Sequence, residues 1–353
     1  MTAIDTPAGA EGDLTGSVTT ASRGSAYSAL SRQIKQAGLL DRRPGYYASQ
    51  IALILTLVAA GVTAFVVIGD SWWQLVVAAY FAVLSTQLGF LGHDAGHRQI
   101  FRSARRNYRL GVVLANLGVG FSYGWWVDKH NRHHAHPNDE DKDPDIGAGA
   151  FIFTERQAQA SGHVARIFYR YQAWTFFPLL LLEAVNLRVS SLRYLLTDRN
   201  RSRIREVLLI ALHITTYLAA VFVLLPPGKA LAFVAIHQAL FGLYLGCSFA
   251  PNHKGMPRLS AADNADYLRR QVLTSRNVRG HWLTDFALGG LNYQIEHHLF
   301  PSMPRGNLRR AQRLVKEFCA GQHVPYLETG LISSYAQALR HLDTIGRAPT
   351  RTG

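Results

Sequence analysis

Cysteine is almost missing from this 353-residue chain, with only Cys247 and Cys319 present. A disulfide framework and a CxxC metal site are both excluded, and two free thiols suit a reducing compartment. No apolar stretch lies near the start, so a secretory leader is not expected. Residues 1–25 are rich in Ser, Thr, Gly and Ala and read as a disordered tail, and residues 346–353 as a second tail. No GxGxxG loop opens a βαβ unit, no cysteine set could hold an iron–sulfur cluster, and no long repeat recurs. Acidic residues are scarce as well: 23 against 37 Lys and Arg, a formal net charge of +14. Such a balance raises the question of nucleic acid. The basic residues flank apolar runs, however, which the positive-inside rule explains and which makes anionic membrane lipid the expected partner. No nucleic-acid partner is expected.

Hydrophobic residues make up 48% of the chain, an ordinary share, but they are bunched. Four runs reach the roughly 20 residues that a spanning helix needs: Ile51–Gly69, Trp72–Leu91, Val207–Leu225 and Ala230–Ala250. Asp70-Ser71 joins the first two and Pro226-Pro227-Gly228-Lys229 the last two, so the spans form two helical hairpins. The outer turns hold one Lys between them. Arg42, Arg43, Arg98, Arg102, Arg105, Arg106, Arg109 and the Arg-rich stretch Arg199–Arg205 fall on the other side. Both termini and the two large polar segments are therefore expected in the cytoplasm. Trp72 and Trp73 sit where an interfacial aromatic belt would. Residues 26–46 read as a short amphipathic interfacial helix. Leu110–Val127, broken by Gly and Asn, and the short Phe176–Val185 are expected to lie on the membrane or dip into it. One domain over 26–345 is expected, all-α and integral to the membrane, with a helical cap on the cytosolic side.

Fifteen histidines are the main signal. His93 and His97 follow the second span at i, i+4, so both rings reach one face of a helix. His130, His133 and His134 repeat at i, i+3, i+4, and so do Gln294, His297 and His298. His253 follows the fourth span. Eight imidazoles are too many for one ion and suit two. Zinc seldom takes more than four ligands and does no redox chemistry, so two non-haem irons that bind and reduce O2 fit the count better. His213 and His237, inside spans without helical-spaced partners, are expected to pack through hydrogen bonds. His163, His281, His323 and His341 are isolated.

HDAGH, HNRHH and QIEHHLFP together resemble the three histidine boxes of the membrane fatty-acid desaturases, in the branch with a Gln-headed third box that includes bacterial acyl and front-end enzymes. The resemblance runs from about residue 85 to 320 and implies a four-helix membrane domain under a cytosolic cap that holds a diiron site. It implies His93, His97, His130, His133, His134, His253, His297 and His298 as iron ligands, with Gln294 where many relatives carry His. Stearoyl-type relatives place an Asn four residues before the His that matches His253. Here that residue is Phe249, so one site contact is either lost or supplied by Asn252 or Asn292. Asp94, Asp143, Asp145, Glu296 and His136 are candidates to hold ligating rings from behind. Phe121, Tyr123, Trp125 and Trp126 are candidates for the entrance of an acyl tunnel.

The implied activity is O2-dependent desaturation of an acyl-CoA or acyl-lipid in a bacterial plasma membrane. With no fused haem domain of the cytochrome b type in the sequence, electrons are expected from a separate carrier such as a ferredoxin with its reductase. A hydroxylase, epoxidase or acetylenase would share every box. A haem electron carrier would need His pairs deep inside spans, and a zinc receptor would be redox-inert.

Overall fold

A computed structural model describes residues 25–197, 202–259, 263 and 265–348. The expected N-terminal tail lies outside the described residues except for Ser25, as do residues 349–353 of the C-terminal one and part of the Arg199–Arg205 stretch.

The first helices are α1 (Ser25–Gln36), α2 (Pro44–Ile68), α3 (Gln74–Gly96) and α4 (Ala104–Val112), the last continuing as a π-helical turn over Val113–Val119. Then come α5 (Tyr123–Ala135), α6 (Glu155–Ala160), α7 (His163–Arg170), α8 (Gln172–Leu180), α9 (Glu183–Thr197), α10 (Ser202–Leu224) and α11 (Pro227–His253). The chain closes with α12 (Tyr267–Leu273), α13 (Trp282–Ala287), α14 (Gln294–Leu299), α15 (Leu308–Gly321) and α16 (Leu331–Gly346). Among the described residues the only sheet is one parallel pair, β1 (Asn277–Val278) with β2 (Glu328–Thr329).

The four long helices α2, α3, α10 and α11 are apolar enough to cross a membrane. At 1.5 Å per residue, the 25 residues of α2 reach about 37 Å, more than the roughly 30 Å of a hydrocarbon core. Each helix overruns its expected span on the polar side. The surplus carries His93 on α3 and His253 on α11 beyond the expected spans. Only 6% of the apolar window of α10 is buried in protein, against 56% for α3, so α10 faces lipid and α3 is the central helix. Lys229 Nζ sits 2.7 Å from Asp70 Oδ1 and lies over the Trp72 ring, which ties the two hairpin turns together. The protein is an all-α integral membrane protein.

The expected helix over 26–46 is corrected. It is two helices, broken at Gly38 with φ +65° and restarted at Pro44, which suits a first helical position. The apolar face of α1 is covered by protein: Leu30 and Ile34 are fully buried against Leu268, Val272, Ala311 and Val315 of α12 and α15.

The two ambiguous stretches are bent pairs. The π-turn and α5 meet at 112°, and α8 and α9 at 76°. The α8–α9 bend packs tightly on Gly242 of α11, where a Cβ would come within 2.7 Å of Leu180 O and Ala184 N. His213 and His237 make the hydrogen bonds expected of packing residues. His213 Nδ1 meets Leu117 O at 2.8 Å, and His237 lies between Ser85 Oγ (3.1 Å) and Tyr217 Oη (2.9 Å).

Candidate metal centre

Four helices deliver the histidines to one place. His93 and His97 end α3, His253 ends α11, α5 carries His130, His133 and His134, and α14 carries Gln294, His297 and His298. The rings separate into two groups whose nitrogens could each hold a metal ion. His93, His97, His130, His134 and His297 form one group, and His133, His253 and His298 the other. Within the first, His97 Nε2 lies 2.8 Å from His130 Nε2, and His134 Nε2 lies 3.1 Å from both His130 and His297 Nε2. In the second, His253 and His298 Nε2 are 3.1 Å apart.

Acceptors behind the rings of the second group set their tautomers. His133 Nδ1 meets both oxygens of Asp143 at 3.0 Å, and that carboxylate accepts from the backbone N–H groups of Asn138 and Asp145. His253 Nδ1 donates to Thr274 O at 3.0 Å, and His298 Nδ1 to Gln271 Oε1 at 2.9 Å. A neutral imidazole has one N–H. Once Nδ1–H is engaged outward, Nε2 offers only a lone pair inward. Converging lone pairs cannot satisfy one another, and His93 Nε2 has no hydrogen-bond partner among the described residues. A cation is what such a donor set fits. Burial, reinforced by neighbouring imidazoles, holds His97, His130, His134, His297 and His298 well below the usual histidine pKa, which is the neutral, ligating form. At His133 burial acts in the same direction, but the Asp145 and Asp143 carboxylates outweigh it and raise the pKa.

The amide of Gln294 lies beside the second group, with Nε2 2.9 Å from His253 Nε2. Its Oε1 accepts from Asn252 Nδ2 at 3.1 Å, and Asn252 Nδ2 also donates to Leu291 O at 3.0 Å. A backbone carbonyl can only accept. It therefore fixes the Asn252 amide, which in turn draws the Gln294 oxygen towards itself and leaves the Gln294 NH2 facing the centre. Phe249 lines the neighbouring cavity instead.

Some expected supporting residues stand elsewhere. Glu296 touches no imidazole. Its carboxylate accepts from Asn277 Nδ2 and Tyr326 Oη, both at 2.7 Å, and burial pushes its pKa up to about 7. Its side chain ties α14 to the β1 region because it projects from the opposite side of the short helix. Asn292 Nδ2 donates to Asp285 Oδ1 at 2.9 Å, and His136 Nδ1 is buried without a partner. Asp94 Oδ1 stands 3.5 Å from His93 Nδ1, while its other oxygen pairs with the Arg305 guanidinium at 2.6 Å.

Gln271, Thr274 and Asn138 were missed in the sequence, where nothing singles out a lone amide or a backbone carbonyl. Arg276 was missed too. It is fully buried and donates to Pro251 O at 2.5 Å, to Gln337 Oε1 at 2.6 Å and to Lys254 O, all neutral acceptors. Its charge meets the unpaired carbonyl end of α11, next to His253.

A cavity of about 500 Å³ adjoins both groups. His93, His130, His133, His253 and Gln294 line one part, and Phe121, Tyr123, Trp125 and Trp126 belong to its wall. It continues between Leu180, Leu187 and Leu245 and meets polar groups at Lys129, Asp145 and Glu183. Lys129 Nζ pairs with Asp145, and that cation together with His133 holds the Asp145 carboxyl below the usual carboxylate range against the opposing effect of burial. A largely apolar slot with a few polar groups suits a lipid chain.

Comparison with known proteins agrees with this geometry. The family model "Fatty acid desaturase" matches residues 70–330. The chain is 30% identical over 283 residues to an acyl-lipid (9-3)-desaturase of Physcomitrium patens, which covers 78% of this chain and 54% of that protein. It is 29% identical over 331 residues to the acyl-lipid (9-3)-desaturase of Borago officinalis, covering 90% and 73%. It is 30% identical over 311 residues to "Delta(5) fatty acid desaturase fat-4" of Caenorhabditis elegans, covering 84% and 68%. The chain thus spans about half the length of the moss relative and about two thirds or more of the other two. With the match running from the turn of the first hairpin to the start of α16, the chain belongs to the fatty acid desaturase family.

Proposed function

We propose that the protein is an O2-dependent fatty acyl desaturase with two non-haem irons, acting on an acyl-CoA or acyl-lipid, and that residues 26–345 form one desaturase domain. The observation that carries this reading is the pair of inward-facing imidazole groups opening onto one apolar cavity. His93, His97, His130, His134 and His297 would hold one iron, and His133, His253 and His298 the other, with the Gln294 amide beside it. When bound, the irons supply the chemistry by which O2, two external electrons and two protons become two waters while two hydrogens leave adjacent CH2 groups as a C=C bond forms.

The remaining work falls to the chain itself. Asp143, Thr274 and Gln271 keep Nδ1 protonated on His133, His253 and His298, so the ligating nitrogens of these three rings are available without a proton to displace. The cavity wall of Phe121, Tyr123, Trp125 and Trp126 excludes water and holds one carbon pair against the centre. Electrons come from a separate carrier such as a ferredoxin with its reductase, docking on the basic polar side. The names of the moss and borage relatives support an acyl-lipid substrate.

The test is expression in a host lacking its own desaturase, followed by mass spectrometry of double-bond positions. New monounsaturated or further unsaturated chains are expected. Hydroxylated or epoxidised products alone would replace the reading with another reaction on the same scaffold.

The Arg-rich side is proposed to face the cytoplasm of a bacterial plasma membrane, with both termini on that side. A reporter that is active only in the cytoplasm should light up when fused after Gly353. Signal from an exported reporter alone would reverse this topology.

A further inference from the structure

The 112° bend before α5 ends one helix and starts another within three residues, Gly120–Ser122. Helix ends leave carbonyls and amides unpaired, and in apolar surroundings each needs a partner. On the carbonyl side, Val119 O accepts from Arg188 Nη2 of α9 at 2.9 Å, and Leu117 O meets the His213 ring. On the amide side stands Glu206 of α10, only 2% exposed. Its Oε2 accepts from Ser122 Oγ at 2.6 Å, Asn116 Nδ2 at 3.0 Å and the backbone N–H of Gly124 at 3.2 Å. Ser122 is the N-cap of α5, accepting from Trp125 N at 3.1 Å. Two glycines make room for these partners. A Cβ on Gly120, which has φ +87°, would come within 2.4 Å of the His213 ring, and one on Gly124 within 2.9 Å of Glu206 Oε1.

We propose that Glu206 is a positioning residue for the metal centre: it anchors the first turn of α5 and so places His130, His133 and His134 against the rings of α3, α11 and α14. The leverage is large. His130 lies seven residues beyond Tyr123, about 10 Å along the helix, so a tilt of about 10° at the anchor moves it by about 2 Å. Metal coordination tolerates about 0.2 Å. Because α5 contributes to both imidazole groups, loosening the anchor disturbs both metals at once. This inference rests on reading the two groups as a two-metal centre.

The experiment compares Glu206→Leu with Glu206→Gln in protein purified from membranes. Metal per chain, turnover and hydrogen exchange at the α5 amides of metal-free protein are measured. Leucine keeps the bulk and loses every acceptor, whereas glutamine keeps an oxygen for the same donors. Glu206→Leu is expected to lose most of both metals, to drop turnover at least about a hundredfold and to exchange its first-turn α5 amides at least about tenfold faster. Glu206→Gln is expected to restore most of all three. Wild-type metal content and exchange in Glu206→Leu would overturn the proposal, as would a Gln variant no better than Leu. If Glu206→Leu does not accumulate, Ser122→Ala combined with Asn116→Ala, which removes two of the three donors to the same carboxylate, decides by the same readouts: unchanged metal and exchange overturn the proposal. Should the wild-type protein hold no metal, the two-metal reading fails, while the exchange comparison still tests the anchor.

Discussion

His298→Ala is expected to abolish turnover and to lower the metal content while leaving the protein in the membrane. The ring is fully buried, offers Nε2 to the same space as His253, and is oriented by Gln271. Losing a partner behind a ligand costs about 10–100-fold, so losing the ligand itself should exceed about a hundredfold. The four membrane helices carry their own long apolar windows, which do not include this ring. Accumulation should therefore stay near that of the wild type. The substitution strands Gln271 Oε1 and opens a small cavity, for which a local cost of roughly 1–3 kcal/mol is expected. Iron per chain and product formation provide the check, with His163→Ala, an exposed position at the start of α7, as the near-neutral control. Full activity in His298→Ala would remove the residue from the ligand set.

The second large effect is expected at Gln294. Gln294→Ile should lose activity by about a hundredfold or more, because it places an apolar group beside His253 Nε2 and leaves Asn252 Nδ2 without one of its acceptors. Gln294→His should bind iron and retain partial activity, since imidazole is a better iron donor than an amide. The two variants differ in sign of effect on metal affinity, which a packing role for Gln294 would not produce. Wild-type turnover in Gln294→Ile would mean that the amide is not part of the site. The NH2 of Gln294, directed inward by Asn252, suits donation to a bound water or oxygen better than direct ligation, and the variants test that orientation as well.

Much of this protein was legible in one dimension. The four spans could be read because bilayer thickness sets a length and lipid sets a composition, both local properties of a run of residues. The hairpins followed from the short connections at Asp70-Ser71 and at Pro226–Lys229. The histidine clusters could be read because spacing of i, i+3 and i+4 puts side chains on one helical face whatever the helix packs against. Other features were out of reach. The amphipathic pattern of α1 announced an apolar face, but lipid and protein select the same residues, so its burial against α12 and α15 could not be told from a membrane-lying helix. Glu296 sits in the third box, yet residue i+2 of a short helix points away from i, i+3 and i+4, and its partners Asn277 and Tyr326 come from distant segments.

The sequence by itself determined the types of the candidate ligands, their helical spacing and the membrane-spanning lengths, since each depends only on neighbours along the chain. The tertiary structure alone decided how eight imidazoles divide into five and three. It decided which atoms hold the rings from behind, among them a backbone carbonyl at Thr274 and a lone amide at Gln271, and that Glu206 anchors the bend before α5. These contacts join residues 21 to 90 positions apart through single polar atoms, and such atoms leave no periodic trace in a sequence.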